Sequence, residues 1–325
     1  MNTPATQGAR TPAGDGRHGG RKGGGEQAVV PRAEPASYYG RPVLKEPIWS
    51  WEIPWYLFAG GLGVASAPLA VVAEAAGNRR LARRAWAVAL ACVSASPALL
   101  ISDLGRPERF LNMLRVVKVT SPMSVGSWAL VAAGPAAAVG TAHAWLGWFP
   151  RLSVAARATA VVVGPNLTTY TAVLLANTAV PAWHEGRREL PFVFAGSAMA
   201  SAGGAAAALT PRSDAAPARR LALVGAVLST GMMELMKRRL GAVGEPYREG
   251  RCGRFARSAQ ILRMGGAALM GARGRSSRAA AVVGGAGLVA GSICQRWAVF
   301  EAGRASARDP KYTVGPQRER LANGA

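Results

Sequence analysis

Most of this chain alternates between long runs of uncharged residues and short basic connectors. Residues 161–180 (VVVGPNLTTYTAVLLANTAV) carry no charge over a length sufficient to cross a bilayer. Residues 85–102, 125–148 and 190–209 are uncharged as well. Repeated apolar blocks of this length, separated by basic connectors, predict an all-α integral membrane protein with many spans.

The pattern predicts about eight transmembrane helices that form a helical bundle. The first opens at Pro54, a residue well suited to the first turn of a helix. The seventh is the weakest because it is short and contains Arg263, and if it were only an interfacial hairpin the C-terminus would change sides. Arg296, near the end of the eighth, is expected to snorkel toward the surface. The predicted spans are residues 53–76, 85–101, 125–145, 158–180, 190–209, 221–236, 258–272 and 279–299.

The two ends of the chain are predicted to lie outside the membrane domain. Residues 1–37 are rich in Gly and Arg and nearly without bulky apolar side chains, so they are predicted to be disordered. They lack the apolar region of a cleavable signal peptide, which leaves the first membrane helix as the insertion signal. Residues 38–305 form the predicted membrane domain and residues 306–325 a C-terminal tail. A count of Lys and Arg favours both termini in the cytoplasm.

The formal net charge of the chain is +22. Such a charge would suggest nucleic-acid binding if the Arg residues formed a patch on a folded surface. Here most of them fall in the tails and connectors, where the positive-inside bias and anionic lipid headgroups account for them. We therefore expect contact with membrane lipid and not with nucleic acid.

Few residues are suited to binding a metal or haem. His18 lies in the N-terminal tail, His143 late in the third span and His184 in a connector, so no two of them are placed to ligate a haem between facing helices. The three cysteines form no Cys-x-x-Cys motif. We expect no haem, no iron–sulfur cluster and no metal in this chain.

Acidic residues near membrane depth are candidate functional groups, because an ionised side chain is costly in lipid. Glu52 and Asp103 fall at span ends on the side of the termini, together with Arg106 and His184. Glu74 and Glu234 are further candidates. The connector after the second span, SDLGRPERFLNMLRVVKVTSPMSVGSW at residues 102–128, is charged and amphipathic, so it is expected to face a binding surface.

Aromatic residues crowd the start of the first span, in WSWEIPWY at residues 49–56. Trp49 and Trp51 are expected to belong to an interfacial aromatic belt. Glu52 and Tyr56 are four residues apart and so share one face of a helix. An acid and a phenol placed in this way suit the binding of a ring carbonyl and the delivery of a proton to it.

Two polar residues of the fourth span, Tyr170 and Asn177, are seven residues apart and share one helical face. For them, ordinary hydrogen bonding between helices is an alternative to a role at a site.

Three segments resemble the NrfD/polysulfide-reductase membrane subunit family, also described as PsrC-like. They are YYGRPVLKEPIWSWEIPWYLFAGGLG, SDLGRPERFLNMLRVVKVTSPMSVGSW and YTAVLLANTAVPAWHEGRRELPFVFAGS, and the likeness extends over residues 38–312. The motif Asp-x-Gly-Arg-Pro after the second span is fairly specific. The resemblance implies an eight-helix subunit that binds a quinone, with menaquinone expected. It also implies a ferredoxin-type iron–sulfur partner, which connects the subunit to a molybdopterin enzyme such as a polysulfide reductase or formate dehydrogenase.

The family's quinone positions fall on Glu52, Ile53, Tyr56 and Tyr170 of this sequence. The histidine or asparagine that some relatives carry in the first span is not present here. In the resulting hypothesis, Glu52 and Tyr56 position and protonate the quinone, and Tyr170 donates a hydrogen bond to a ring oxygen. The same hypothesis assigns proton delivery from the surface to Asp103 and His184, and quinone contacts to Asn177 and Arg106.

The Asp-x-Gly-Arg-Pro turn has two readings. Asp103 and Arg106 either fix the turn, through an ion pair or backbone contacts, or act directly at the quinone. Leu111 and the pair Met113 and Leu114 are expected to seat an interfacial helix where the iron–sulfur partner docks. Several family members dock this partner outside the cell, whereas the Lys and Arg count places this face in the cytoplasm.

Two other functions are compatible with the sequence. The chain could be a passive membrane anchor for a redox complex without a quinone of its own. It could also be a small-solute or proton transporter, in which Glu74 and Glu234 would carry the substrate or protons. Broken helices would favour a transporter, and prolines do fall within several spans, at Pro68, Pro97, Pro135 and Pro165.

Overall fold

The computed structural model describes residues 42–104, 106 and 108–322, so the predicted disordered tail of residues 1–37 lies outside the described part. Regular secondary structure in the described residues is helical throughout. Two 3-10 segments, Glu185–Arg188 and Gly241–Tyr247, connect longer elements. In chain order, the α-helices are α1 (Glu52–Ala75), α2 (Arg79–Asp103), α3 (Arg109–Met113), α4 (Pro122–Leu146), α5 (Pro150–Ala176), α6 (Pro181–His184), α7 (Leu190–Leu209), α8 (Ala216–Arg239), α9 (Gly250–Arg273), α10 (Arg278–Arg308) and α11 (Lys311–Ala322).

Among the described residues, six helices are long and apolar enough to cross a membrane: α1, α2, α4, α5, α7 and α10. This finding confirms an all-α protein with several membrane helices. The predicted sixth and seventh spans correspond to α8 and α9, which have 24 residues each but carry more charge. That these two also cross the membrane, for a total of eight spans, stays a prediction.

The helices extend beyond the predicted boundaries at several places, as α2 does at Arg79 and α10 at Arg308. The fourth span was placed at residues 158–180, but α5 runs from Pro150 to Ala176 and leaves Asn177 as its C-terminal cap. The seventh span was placed at residues 258–272, whereas α9 begins at Gly250. The predicted C-terminal tail contains α11, which is held by a hydrogen bond from the buried Tyr312 hydroxyl to Glu245 Oε2 at 3.1 Å.

The long helices form two four-helix bundles. In the first bundle, α1 packs on α2 and α5, and α4 packs on α2 and α5. In the second bundle, α7 packs on α8 and α10, and α9 packs on α8 and α10. The bundles meet mainly where α7 contacts α1 and α5.

Local sequence signals set several helix ends. Asn78 caps α2 by accepting a hydrogen bond from the Leu81 backbone N–H at 3.1 Å, and Ser277 caps α10 in the same way from Ala280 at 3.2 Å. These side chains satisfy N–H groups that have no partner within the first turn of a helix. Gly147 ends α4 with a positive φ of 74°, a conformation that glycine adopts without steric cost.

Internal prolines distinguish the two bundles. Each helix of the first bundle contains one, at Pro68, Pro97, Pro135 and Pro165. The helices of the second bundle have no proline beyond their first turns. All four proline-containing helices continue through the proline, as membrane helices can when neighbours satisfy the freed backbone groups. The prolines therefore do not produce the broken helices that favour a transporter.

Close backbone contact holds the second bundle together. A Cβ atom built on Gly225 of α8 would lie 2.4 Å from the Ala200 backbone nitrogen and 2.6 Å from the Gly196 carbonyl oxygen of α7. Any larger residue would push the helices apart. In lipid there is no hydrophobic driving force between helices. Their association depends largely on close packing, which small residues permit.

Two arginines lie inside the second bundle. Arg263 is 2% exposed and donates to the Ser229 hydroxyl. Arg296 is 1% exposed, donates to the Phe194 carbonyl oxygen at 3.2 Å, and places its guanidinium carbon 3.6 Å from the centre of the Phe194 ring. The prediction that Arg296 snorkels to the surface is therefore wrong. The side chain stays inside the bundle, where a backbone carbonyl and an aromatic ring on α7 contact the cation.

We predict that the substitution Arg296→Met raises the thermal unfolding temperature of the purified subunit in detergent by about 2–6 °C. The Nε and Nη1 atoms of Arg296 have no hydrogen-bond partner, and no ion pair compensates this cation within the described residues. The free-energy cost of burying this cation therefore exceeds the stabilisation that its contacts with Phe194 provide. Gly225→Leu is the control and should unfold the bundle. A fall in the unfolding temperature of the Arg296→Met protein would contradict this view.

Candidate functional site

Most of the predicted site residues lie at one end of the bundles. Short connectors at residues 76–78, 147–149, 210–215 and 274–277 join antiparallel helix pairs. The starts of α1, α4, α7 and α9 and the ends of α2, α5, α8 and α10 consequently share the opposite end. We call this end the Glu52 face, because it carries Glu52, Asp103 and His184.

Ser50 connects the two acidic residues at this face. Its hydroxyl lies 2.6 Å from Asp103 Oδ1 and also contacts Glu52 Oε2, while its backbone N–H donates to Asp103 Oδ1 at 3.1 Å. A serine hydroxyl has one hydrogen and can donate to only one carboxylate. The hydroxyl therefore bridges the two carboxyl groups and donates to one of them at a time. We call Ser50, Glu52 and Asp103 the Ser50 unit.

Ser50 was not predicted as a site residue. The only local signal was a hydroxyl two residues before Glu52, in the segment that leads into α1. Its second partner, Asp103, is 53 residues away in the chain, so this contact exists only after α1 and α2 have packed.

The Asp-x-Gly-Arg-Pro turn follows the backbone alternative of its prediction. Asp103 pairs with Ser50, and Arg106 is exposed and forms no ion pair with any residue that the structure describes. The Arg106 carbonyl oxygen instead accepts from the Arg109 N–H at 3.1 Å, where α3 begins. The predicted ion pair is therefore wrong. A short helix is present at the predicted place, as α3, with Leu111 64% exposed, and its position at the membrane interface stays a prediction.

Tyr56 of α1 and Tyr170 of α5 belong to one apolar cluster, which extends from the first bundle into the second. Tyr56 is a buried member of the cluster, and Tyr170 is partly buried and packs against it. Neither hydroxyl forms a hydrogen bond to the described part of the chain, and neither oxygen is among the fully buried unpaired atoms. Two phenol donors therefore remain available in apolar surroundings, and Glu52 lies one turn before Tyr56.

The position of Tyr170 depends on Gly126 of α4. A Cβ atom at Gly126 would lie 1.8 Å from Tyr170 Cζ and 2.1 Å from its hydroxyl oxygen. The phenol end therefore rests directly on the α4 backbone, and any side chain at position 126 would displace it.

His184 and Asn177 lie outside this apolar cluster. His184 is exposed, and its Nδ1 is 3.1 Å from the Ala176 carbonyl oxygen, where α5 ends. Asn177 is exposed at the C-terminal cap of α5. Their predicted roles in proton delivery and quinone contact stay predictions.

A comparison of the sequence with protein families gives a match. The family described as Polysulphide reductase, NrfD, matches residues 43–216, which is more than half of the 325-residue chain. The chain belongs to the NrfD family. The match contains the whole first bundle and every predicted site residue, and it ends where α8 begins. A comparison with curated proteins gave no match.

Membership of the NrfD family and six candidate membrane helices make this chain a multi-pass membrane protein. The family connects it to polysulfide reductase-type membrane subunits. Among the residues that the structure describes, no group of three or more His, Cys, Asp or Glu side chains is placed to hold a metal ion.

Glu74 and Glu234, the two acidic residues that a transporter would use, are both paired. Glu74, at the far end of α1, accepts from Trp86 Nε1 at 2.8 Å and lies 3.7 Å from Arg157 Nη1. Glu234 pairs with Lys237 at 2.5 Å. A structural role accounts for these contacts.

Aromatic stacking fixes the segment before α1 to the second bundle. Trp49 stacks on the fully buried Trp183 with ring centres 5.7 Å apart, and Trp183 Nε1 donates to the Val299 carbonyl oxygen at 2.7 Å. Trp49 therefore has a partner within the protein, and its place in an interfacial belt stays a prediction. Trp51 is 58% exposed, as expected for a belt residue.

Glu46 adds an ionic contact to the same segment. Its carboxylate accepts from Arg304 Nε at 2.5 Å and from Arg308 Nε at 2.7 Å, both on α10. The hydrogen bond from Arg308 and the contact with Arg304 hold the pKa of the Glu46 carboxyl below its ordinary value, against the opposing effect of partial burial. Residues 42–51, which lead into α1, thus contact the end of α10 and connect the two bundles.

We predict that Glu46→Gln lowers the unfolding temperature at pH 7 by about 1–3 °C and that this difference disappears in acid. A carboxyl with a lowered pKa stabilises the fold above its ordinary pKa of 4.5. This stabilisation is lost as the pH falls through the lower folded-state value. Unfolding followed from pH 7 to pH 3 measures the difference. Asp214→Asn, at the exposed pair with Arg80, is the control, and a constant difference at every pH would refute the assignment.

Proposed function

We propose that this chain is the quinone-binding membrane subunit of a multi-subunit oxidoreductase. It passes electrons between a partner iron–sulfur subunit and the quinone pool, with menaquinone expected. The observation that carries this proposal is the pair of phenol hydroxyls on Tyr56 and Tyr170, which have no hydrogen-bond partner among the described residues and lie at one apolar cluster. Membership of the NrfD family supports it.

The residues of the first bundle fit a quinone headgroup. A quinone accepts two electrons and two protons, and its ring oxygens accept hydrogen bonds. Tyr56 and Tyr170 supply donors from two different helices, and neighbouring side chains such as Ile53 and Leu167 supply an apolar lining. This combination of an apolar pocket with a few oriented polar groups is typical of small-molecule sites.

The Ser50 unit provides a route by which the protons of quinone reduction reach the site one at a time. Glu52 shares a helical face with Tyr56, and Ser50 connects Glu52 to Asp103 at the surface end of α2. A proton held on one carboxyl can pass through the serine hydroxyl to the other, because a hydroxyl both accepts and donates. Glu52 is then the acid nearest the phenols, and Asp103 restores its proton from the surface.

The exposed segment between α2 and α4 suits the docking of the iron–sulfur partner at the Glu52 face. Leu111, Val117 and Val119 are 64%, 68% and 82% exposed, and they alternate with basic residues such as Arg115 and Lys118. Exposed apolar side chains grouped in this way mark an interaction surface. Docking here would bring the partner's cluster to the side of the membrane domain that carries Ser50, Glu52 and the two phenols. The partner in turn would connect the chain to a molybdopterin subunit.

We predict that Glu52→Gln and Tyr170→Phe each lower quinol-dependent turnover of the assembled complex by about tenfold to a hundredfold. The first change removes the carboxyl group that exchanges a proton with the ring and accepts that proton when quinol is oxidised, and the second removes one hydrogen-bond partner of the ring oxygen. Turnover with an artificial dye that reacts at the partner subunit should be unchanged. Glu74→Gln, at the far end of α1, is the matched control because glutamine still accepts from Trp86.

Unchanged quinol turnover in both variants would remove Glu52 and Tyr170 from the mechanism. If the wild-type complex itself showed dye activity but no quinol activity, the passive-anchor alternative would replace the present proposal.

A further inference from the structure

A cleft of about 330 Å³ lies between the first half of α4 and the second half of α5. Val119 and Thr120 close it at the Glu52 face, and its walls include Val125 of α4 and Val173 of α5. These two valines are 46% and 41% exposed, so the cleft opens on the outer surface of the first bundle. Both helices are candidate membrane spans, and this outer surface therefore meets lipid.

Four polar residues line this cleft, Thr120 before α4 and Asn166, Thr169 and Tyr170 of α5, and the rest of its lining is apolar. The Thr169 hydroxyl is already used, because it donates to the Asn166 carbonyl oxygen at 2.9 Å. Asn166 and Tyr170 are four residues apart, so they lie on one face and about 6 Å apart along the helix. Asn166 Nδ2 donates to the carbonyl oxygen of Val162 at 2.6 Å. That bond uses one of its two amide hydrogens and leaves the side-chain oxygen free. An amide exposed to lipid with unused hydrogen-bonding capacity is costly, which indicates that something other than lipid contacts it.

Tyr170 belongs to both the cleft and the interior. It lines the cleft beside Gly126, and it also packs against the cluster that contains Tyr56. The phenol crosses the α4 backbone at Gly126, where no Cβ atom obstructs it. A ligand in the cleft is therefore separated from the inner phenol by a single side chain.

We infer that the α4/α5 cleft is the lateral entrance and outer binding position for the headgroup of an isoprenoid quinone that arrives from the lipid. Asn166 and Tyr170 contact the two oxygens on opposite sides of the ring, which are separated by the length of a six-membered ring. The volume of the cleft lies within the range of small-molecule sites. The inference rests on the proposed function and adds Asn166 as a binding residue and Gly126 as the residue that positions the Tyr170 phenol.

The test uses the assembled complex in native membranes and a photoreactive short-chain quinone. Labelling should fall on α4 and α5 peptides that contain Gly126 or Asn166. Asn166→Leu should reduce this labelling and raise the KM for a short-chain quinol by about tenfold, with kcat within about twofold of wild type. Val162→Leu, one turn away on the lipid-facing side of α5 and outside the cleft, is the matched control and should change neither.

Gly126→Ala provides a second test because it displaces the Tyr170 phenol without altering Asn166. It should lower kcat and leave labelling of the Asn166 peptide in place. Label found only on the Tyr56 peptide, with Asn166→Leu equal to wild type in KM, would overturn the cleft assignment and leave the proposed function intact. The absence of labelling and of quinol turnover in the wild type would instead overturn the proposed function.

Discussion

A polar side chain inside a membrane bundle has no water to bond with, so it must find a partner in the protein or face a ligand. Several buried serines of this chain meet the requirement by donating to their own helices, as Ser66 does to Leu62 and Ser127 to Met123. The phenols of Tyr56 and Tyr170 do not meet it. Their unused hydroxyls fall in one apolar cluster, next to a helix end that carries two connected carboxyl groups. The two phenol hydroxyls, which lack a partner among the described residues, therefore mark the candidate site.

The two bundles differ in composition and in what they contribute to the candidate site. The first contains the internal prolines, the unpaired phenols and the cleft, and the family match covers it completely. The second has more charged helices, and its arginines are held by a serine hydroxyl, a carbonyl and an aromatic face. Residues 42–51 connect them, through Glu46 and Trp49 to the second bundle and through Ser50 to the first.

The sequence was sufficient to predict the helical membrane domain, because uncharged runs of bilayer length are a strong local signal. It misplaced boundaries where charged residues belong to helix ends, as in the first turns of α5 and α9. The spacing pointed to Glu52 and Tyr56 and the family resemblance to Tyr170, and the roles of these residues at a site stay predictions. The sequence missed Ser50 and the burial of Arg296, because their partners are 53 and 102 residues distant and are set only by packing.

The account depends on a quinone bound within the first bundle, close to the face where a partner's iron–sulfur cluster docks. The most direct test is to purify the native complex under mild conditions, extract its lipids and measure quinone, together with binding of quinone headgroup analogues. The account predicts that quinone co-purifies with the complex and that headgroup analogues bind and displace it. Native complex that contains no quinone and binds no headgroup analogue would contradict it.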